Sequence, residues 1–251
     1  MRILLTNDDG IHAPGLAVLE AIAATLSDDV WVCAPAEEQS GAGHSLTLHQ
    51  PVRLRTYGEK RFAVTGTPTD AVNLGLRKLF ADRKPDLVIS GINAGENLAD
   101  DITYSGTISA AMEAALAGIP AIALSQAMRE RGATFAAAES WAARVLAPLI
   151  EVPMAKRTLV NVNFPDCPAE HVKGVRVVRQ GFHDYSRGSL VEGTDPRGRS
   201  YYWFGLEEME HTLDHGTDLE AVAEGYVAVT PLQLDLTNHA ALGTLADRFA
   251  E

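Results

Sequence analysis

Two carboxylates stand side by side in Asn7-Asp8-Asp9-Gly10, and neighbours of like charge repel unless a cation sits between them. They follow the apolar run Ile3-Leu4-Leu5, and successive side chains of a strand point to opposite faces. Both carboxylates can therefore serve one site only if the chain turns there, which Gly10 allows. Carboxylate, hydroxyl and amide oxygens are the donors that hard cations such as Mg²⁺ or Mn²⁺ prefer. Asp8, Asp9, Ser40 and Asn93 make such a set if the loops after three strands converge. Taken alone, Asp-Asp-Gly reads equally well as a turn and helix cap. A second element is Tyr104-Ser105-Gly106-Thr107-Ile108, leading into an alanine-rich stretch. A helix starting there offers free N–H groups and a positive dipole end to an anion, with the Ser105 and Thr107 hydroxyls as further donors and Gly106 allowing close approach. Ser105 or Thr107 could instead be a plain N-cap.

These residues need a scaffold, and the pattern supplies one. Strand runs at 3–6, 30–33, 62–64, 87–90 and 121–124 alternate with helical periodicity at 14–26, after Gly66-Thr67-Pro68-Thr69, and at 107–117. Thr69 is the expected N-cap of the middle helix. Strands alternating with helices predict a three-layer, Rossmann-like α/β fold with a mostly parallel sheet, and such sheets bind ligands at the carboxyl ends of their strands. Beyond residue 125 the rhythm changes to a helix at 134–151 and strands at 158–162, 174–179, 201–204 and 226–230. The polar, glycine-rich stretch 183–200 reads as a hairpin arm or loop used in subunit contact. The expected organisation is one domain, 1–251, with a core over 1–126 that carries the site. Residues 127–251 complete the sheet and form a β-rich C-terminal extension used for oligomerisation.

Composition narrows the function. With 251 residues, 46% hydrophobic and 22% charged, the chain is long enough for a substantial core without disulfides. Cys33 lies in an apolar run and reads as core. The net charge of −12 and the absence of a basic stripe argue against nucleic-acid polymers as partners. The first residues enter a strand directly, with no secretory signal, and no apolar stretch approaches the roughly 20 residues of a membrane span; a cytoplasmic location is expected. An acidic protein binds a phosphate ester only where a metal or helix start reverses the local field.

Rival chemistries fit poorly. No Gly-x-Gly-x-x-Gly or Walker-type loop follows the first strand. Gly43-His44-Ser45-Leu46-Thr47 has threonine where a serine-hydrolase elbow needs glycine. His211, His215 and His239 lack a metal-ligand spacing and read as surface or capping residues. Asp100 and Asp101 read as braces for the loop before Tyr104, and Gly66–Asp70 as a turn beneath the pocket.

Five ordered motifs together resemble the SurE nucleotidase family: Asn7-Asp8-Asp9-Gly10, Gln39-Ser40-Gly41, Gly66-Thr67-Pro68-Thr69-Asp70, Ser90-Gly91-Ile92-Asn93-Ala94-Gly95-Glu96-Asn97, and Asp100-Asp101-Ile102-Thr103-Tyr104-Ser105-Gly106-Thr107. The resemblance runs from residue 1 to at least 126 and continues more weakly to Pro231-Leu232. It implies one divalent metal per subunit on Asp8, Asp9, Ser40 and Asn93, with Asp8 and Asp9 catalytic and Asp9 a ligand, a proton acceptor or both. It also implies hydrolysis of nucleoside 5′- or 3′-monophosphates, short polyphosphate as a side substrate, and homodimers or homotetramers. Asn97, Ser105, Gly106, Thr107 and His44 are the expected phosphate and substrate contacts. The rival from another class is a non-catalytic sensor of a metal–nucleotide complex, which would bind without turnover.

Overall fold

The computed structural model describes residues 1–128, 134–183, 189–205 and 215–250. Its main sheet has nine strands: β1 (Arg2–Thr6), β2 (Asp29–Pro35), β3 (Leu54–Gly58), β4 (Arg61–Val64), β5 (Leu87–Ala94), β6 (Ala121–Gln126), β7 (Thr158–Phe164), β8 (Val175–Val177) and β11 (Val227–Gln233). In space they run β3-β4-β2-β1-β5-β6-β7-β11-β8. The six strands from β4 to β7 are mutually parallel, whereas β3 pairs antiparallel with β4, and β11 pairs antiparallel with β7 and parallel with β8. The order reverses at β1, between β2 and β5, which is where a crevice opens at the carboxyl ends of an α/β sheet.

Helices α1 (Pro14–Ala24) and α4 (Ala136–Glu151) cover one face, and α2 (Pro68–Lys78) and α3 (Gly106–Leu116) cover the other. The alternation of β1 assigns the layers. Ile3 and Leu5 pack with Leu16, Leu19 and Leu146 in one cluster, while Leu4 packs with Val72, Ile108 and Ala111 in the other. All three β1 side chains are fully buried, so each contributes about 1.5–3 kcal/mol of apolar burial. Burial on both faces explains why the central strands read as unbroken apolar runs.

Several expected elements differ in detail. The cap of α2 is Thr67 and not Thr69: Thr67 Oγ1 accepts from Asp70 N at 3.1 Å, and Asp70 Oδ2 accepts from Thr67 N at 2.9 Å. Pro68 at the first helical position fixes this register, because it needs no donor partner there. Thr69 thus falls inside the first turn, its buried hydroxyl without a partner. The edge strand β3, largely exposed and without an apolar run, escaped the sequence pattern, as did the short helices α5 (Asp218–Ala223) and α6 (Leu242–Ala246). Within 183–200, strand β9 (Ser189–Thr194) forms an antiparallel hairpin with β10 (Ser200–Gly205). Residues 184–188 of that stretch, and His211, lie outside the described residues. No helix among the described residues is long and apolar enough to cross a membrane.

Candidate metal and phosphate site

Asp8 and Asp9 leave the end of β1 at the topological switch, and Gly10, at φ +99°, turns the chain behind them. A side chain at Gly10 would press within 3.1 Å of the Glu37 carbonyl carbon. Two backbone bonds lock this turn to the loop after β2: Gln39 N donates to Asp8 O, and Ile11 N to Pro35 O, both at 2.8 Å. The β2 loop therefore delivers Ser40 beside β1, where its hydroxyl donates to Glu38 Oε1 at 3.0 Å. From β5, Ala94 N donates to Asp9 Oδ2 at 3.4 Å, tying the end of the strand that bears Asn93 to the same turn. Asn93 spends its amide nitrogen on Gly95 O at 2.9 Å, so its oxygen is the atom left for a cation.

Asp8 is almost fully buried and points at the start of α3. Thr107 Oγ1 donates to Asp8 Oδ1, and the amides of Gly106 and Thr107 also face the carboxylate. The fit at Gly106 is close: a Cβ there would lie 2.7 Å from Asp8 Cβ and 2.9 Å from Asp8 Oδ2. Burial still outweighs these bonds and raises the Asp8 carboxyl above its ordinary range. Asp9 is pushed up to about 6, first by burial, then by repulsion from Asp8 and, more weakly, from Glu38.

No Lys or Arg bonds either carboxylate among the described residues. Nor do three His, Cys, Asp or Glu side chains gather there as a metal cluster. The uncompensated pair, with hydroxyl and amide oxygens at hand, is a donor set that a hard divalent cation fits.

Ser105 is the N-cap of α3: its hydroxyl accepts from Ile108 N at 3.1 Å. Its own proton is left for an incoming oxygen. Asn97 is buried and turned inward, donating from Nδ2 to Ser125 Oγ at 2.8 Å, while its backbone bonds Asn161 and Asn163 of β7. His44 bonds Glu113 on α3 through Nε2 at 3.3 Å, and Asn73 on α2 donates to the other Glu113 oxygen at 2.7 Å. These bonds, led by that from His44, hold the Glu113 carboxyl below its usual range. The loop carrying His44 is fastened again where Gly43 N donates to Tyr104 O at 3.1 Å and Thr47 Oγ1 to Asp70 Oδ2 at 2.5 Å.

Glu113 has no motif-level signature in the sequence, whereas Asp70 closes the Gly66–Asp70 turn, and its Thr67-x-x-Asp70 spacing is that of a capping box. His215 and His239 pair with Glu220 and Asp235 at the surface, each at 2.8 Å. Asp100 and Asp101 both bond His183, from its backbone N at 2.8 Å and its Nε2 at 3.0 Å. The Asp101 carbonyl also accepts from Tyr104 and Ser105, bracing the approach to α3.

Known proteins resemble this chain over its length. A family model described as "Survival protein SurE" matches residues 3–187. A protein of Erythrobacter litoralis named 5′-nucleotidase SurE is 66% identical over 251 residues, covering 99% of this chain and all of its own. One of the same name from Rhizorhabdus wittichii is 60% identical, covering 96% of this chain and 97% of its own. Among solved structures, the SurE protein of Aquifex aeolicus superposes with a TM-score of 0.88 at 40% identity over the full length of both chains.

Proposed function

The chain belongs to the SurE family, and we propose that it hydrolyses nucleoside 5′-monophosphates to nucleoside and phosphate with the aid of one divalent metal. The observation that carries this reading is the Asp8–Asp9 pair, raised in pKa and unpaired by any described cation, with Asp8 aimed at the start of α3. The names of the relatives agree with it and disfavour a sensor that binds without turnover.

Asp8, Asp9, Ser40 and Asn93 would hold the metal, Mg²⁺ or Mn²⁺ by donor type. When bound, it supplies neutralisation of phosphate charge and activation of water. The chain's own groups do the rest. Thr107 fixes the Asp8 carboxylate in one orientation, and Ala94 N does the same for Asp9. Asp9, the more exposed of the two, is the carboxylate placed to accept a proton from the attacking water, to ligate the metal, or both in turn. The Ser105 hydroxyl proton at the α3 start, with the helix dipole behind it, stabilises the equatorial phosphate oxygens as charge shifts. His44 and Asn97 belong to the substrate wall, His44 steadied by Glu113 and Asn97 by Ser125.

The reading extends to 3′-monophosphates and short polyphosphate as further substrates, and to a cytoplasmic enzyme, which its two free cysteines suit. It includes a homodimer or homotetramer built through the C-terminal extension. The β9–β10 hairpin supports this, since it exposes Leu190, Val191, Trp203 and Phe204, the last at 91%.

Phosphate release from a panel of nucleoside monophosphates, in EDTA and then with Mn²⁺ or Mg²⁺, tests the proposal. Turnover restored by metal in the wild type and lost in Asp8→Asn is expected. Nucleotide binding without turnover under any metal would replace the enzyme by the sensor.

A further inference from the structure

Asp218 is fully buried, yet it takes no part in the donor set above. Its position at the first turn of α5 invites a capping role, but that role is filled: Thr217 is the N-cap and accepts from Glu220 N. The Asp218 carboxylate instead accepts three backbone N–H groups. Ala99 N reaches Oδ2 at 3.0 Å, while Gly181 N and Leu219 N reach Oδ1 at 2.7 and 2.9 Å. Gly181 is built for this contact, since a Cβ there would fall 3.1 Å from Asp218 Oδ1 and 2.9 Å from Leu219 Cδ1. One carboxylate thus joins the loop after β5, the stretch after β8 and the start of α5.

Ala99 has a left-handed backbone, φ +49°, at the head of the 3-10 turn Ala99–Thr103. That conformation is unfavourable for an L-residue with a Cβ and persists only where its surroundings impose it. Two struts impose it here: Asp218 on the Ala99 N–H, and Gln180 Nε2, which donates to Ala99 O at 2.9 Å. The turn they set runs straight into the phosphate end of α3. Tyr104 N and Ser105 N both bond Asp101 O, and Ser105 caps the helix whose first residues face Asp8.

We propose that Asp218 is a positioning residue for phosphoryl transfer, which holds Ala99 in its left-handed conformation and thereby aims the Ser105–Thr107 helix start at the substrate phosphate. This rests on the phosphatase reading above. Groups that stabilise developing charge lose effect when displaced by a fraction of an ångström, whereas ground-state binding suffers less. Loss of the strut is therefore expected in kcat more than in KM.

The test compares wild type, Asp218→Asn, Ala99→Gly and the Asp218→Asn/Ala99→Gly double variant, as full chains, in steady-state phosphate release with metal. Melting temperatures are recorded in parallel. Asp218→Asn replaces one accepting oxygen by an N–H that opposes a backbone donor, and kcat should fall about 10- to 100-fold with KM little changed. Glycine takes a left-handed φ without penalty, so the double variant should regain part of the lost kcat even though it removes a buried methyl. A merely structural role predicts the reverse, because the second substitution would only add damage. Wild-type kcat in Asp218→Asn, or a double variant no better than Asp218→Asn, overturns the proposal. If Asp218→Asn fails to fold, Gln180→Met, which removes the other strut, takes its place: a kcat loss corrected by Ala99→Gly supports the inference, and unchanged kcat overturns it. A wild type without turnover would refute the phosphatase reading itself, so the two failures are distinct.

Discussion

The Thr107 hydroxyl donates to Asp8 Oδ1 across 99 residues of chain, joining the tip of β1 to the first turn of α3. The bond fixes which Asp8 oxygen is engaged and which is left for a ligand. Thr107→Val keeps the shape and removes the donor. Asp8 then loses a partner in a buried setting, which costs about 1–3 kcal/mol and should appear as a lower denaturant midpoint in metal-free protein. Turnover should fall about 10- to 100-fold, as is usual when a ligand's orienting partner is lost. Unchanged turnover would mean that Asp8 needs no orientation from α3.

Gly106 tests the same junction by crowding it. A methyl there meets Asp8 Cβ at 2.7 Å and Pro68 Cγ at 3.0 Å, both packed and unable to yield freely. Gly106→Ala should destabilise by about 1–3 kcal/mol and weaken divalent-metal binding measured by calorimetry. Normal metal affinity in a folded Gly106→Ala protein would place the metal away from Asp8.

The carboxyl of Asp9 gives a pH dependence with a definite sign. Its folded pKa, about 6, lies above the ordinary 3.8, so between these values the folded state binds more protons than the unfolded. The associated stability is present below about pH 4 and is lost as pH rises through about 6. Metal-free wild type should therefore lose melting temperature relative to Asp9→Asn over that window. Divalent metal should restore it, with a larger shift at pH 7 than at pH 5, because ligands bind deprotonated. Parallel pH profiles for the two proteins would show that Asp9 is not desolvated as described.

Much of this site was legible because its residues lie close in sequence to strand ends. Asp8, Asp9 and Ser40 follow a β run and Asn93 stands at the end of one, and the parallel-sheet rule brings such strand ends together. The start of α3 was visible in Ser105-Gly106-Thr107 for the same local reason. What the sequence could not show is partnership over distance. Glu113 reads as an ordinary helix residue until α2 and α3 bring Asn73 and His44 to it. Asp218 reads as an acidic first-turn residue until the fold sets Ala99 and Gly181 against it. Thr69 was misread because two threonines flank Pro68, and only the reciprocal Thr67–Asp70 bonds decide between them.

The Glu113–His44 contact carries the last prediction. His44 stands on a loop that crosses to α3, and Glu113 is turned toward it by Asn73, itself bonded by Arg77 Nε at 2.7 Å. The carboxyl is held below its usual range, chiefly by His44, so it stays ionised and able to steady the ring throughout the neutral range. Because the folded pKa is depressed, the stability this pairing contributes is present above the ordinary carboxylate pKa and is lost on acidification through the lower folded value. Glu113→Gln should leave kcat near wild type and raise KM for the nucleotide about five-fold, the equivalent of a hydrogen bond worth ~1 kcal/mol. His44→Ala should raise KM by a similar factor, and the double variant should add little, since the two residues act as one unit. Additive effects in that cycle would show that His44 and Glu113 work separately, and a fall in kcat alone would move His44 from the substrate wall to the chemistry.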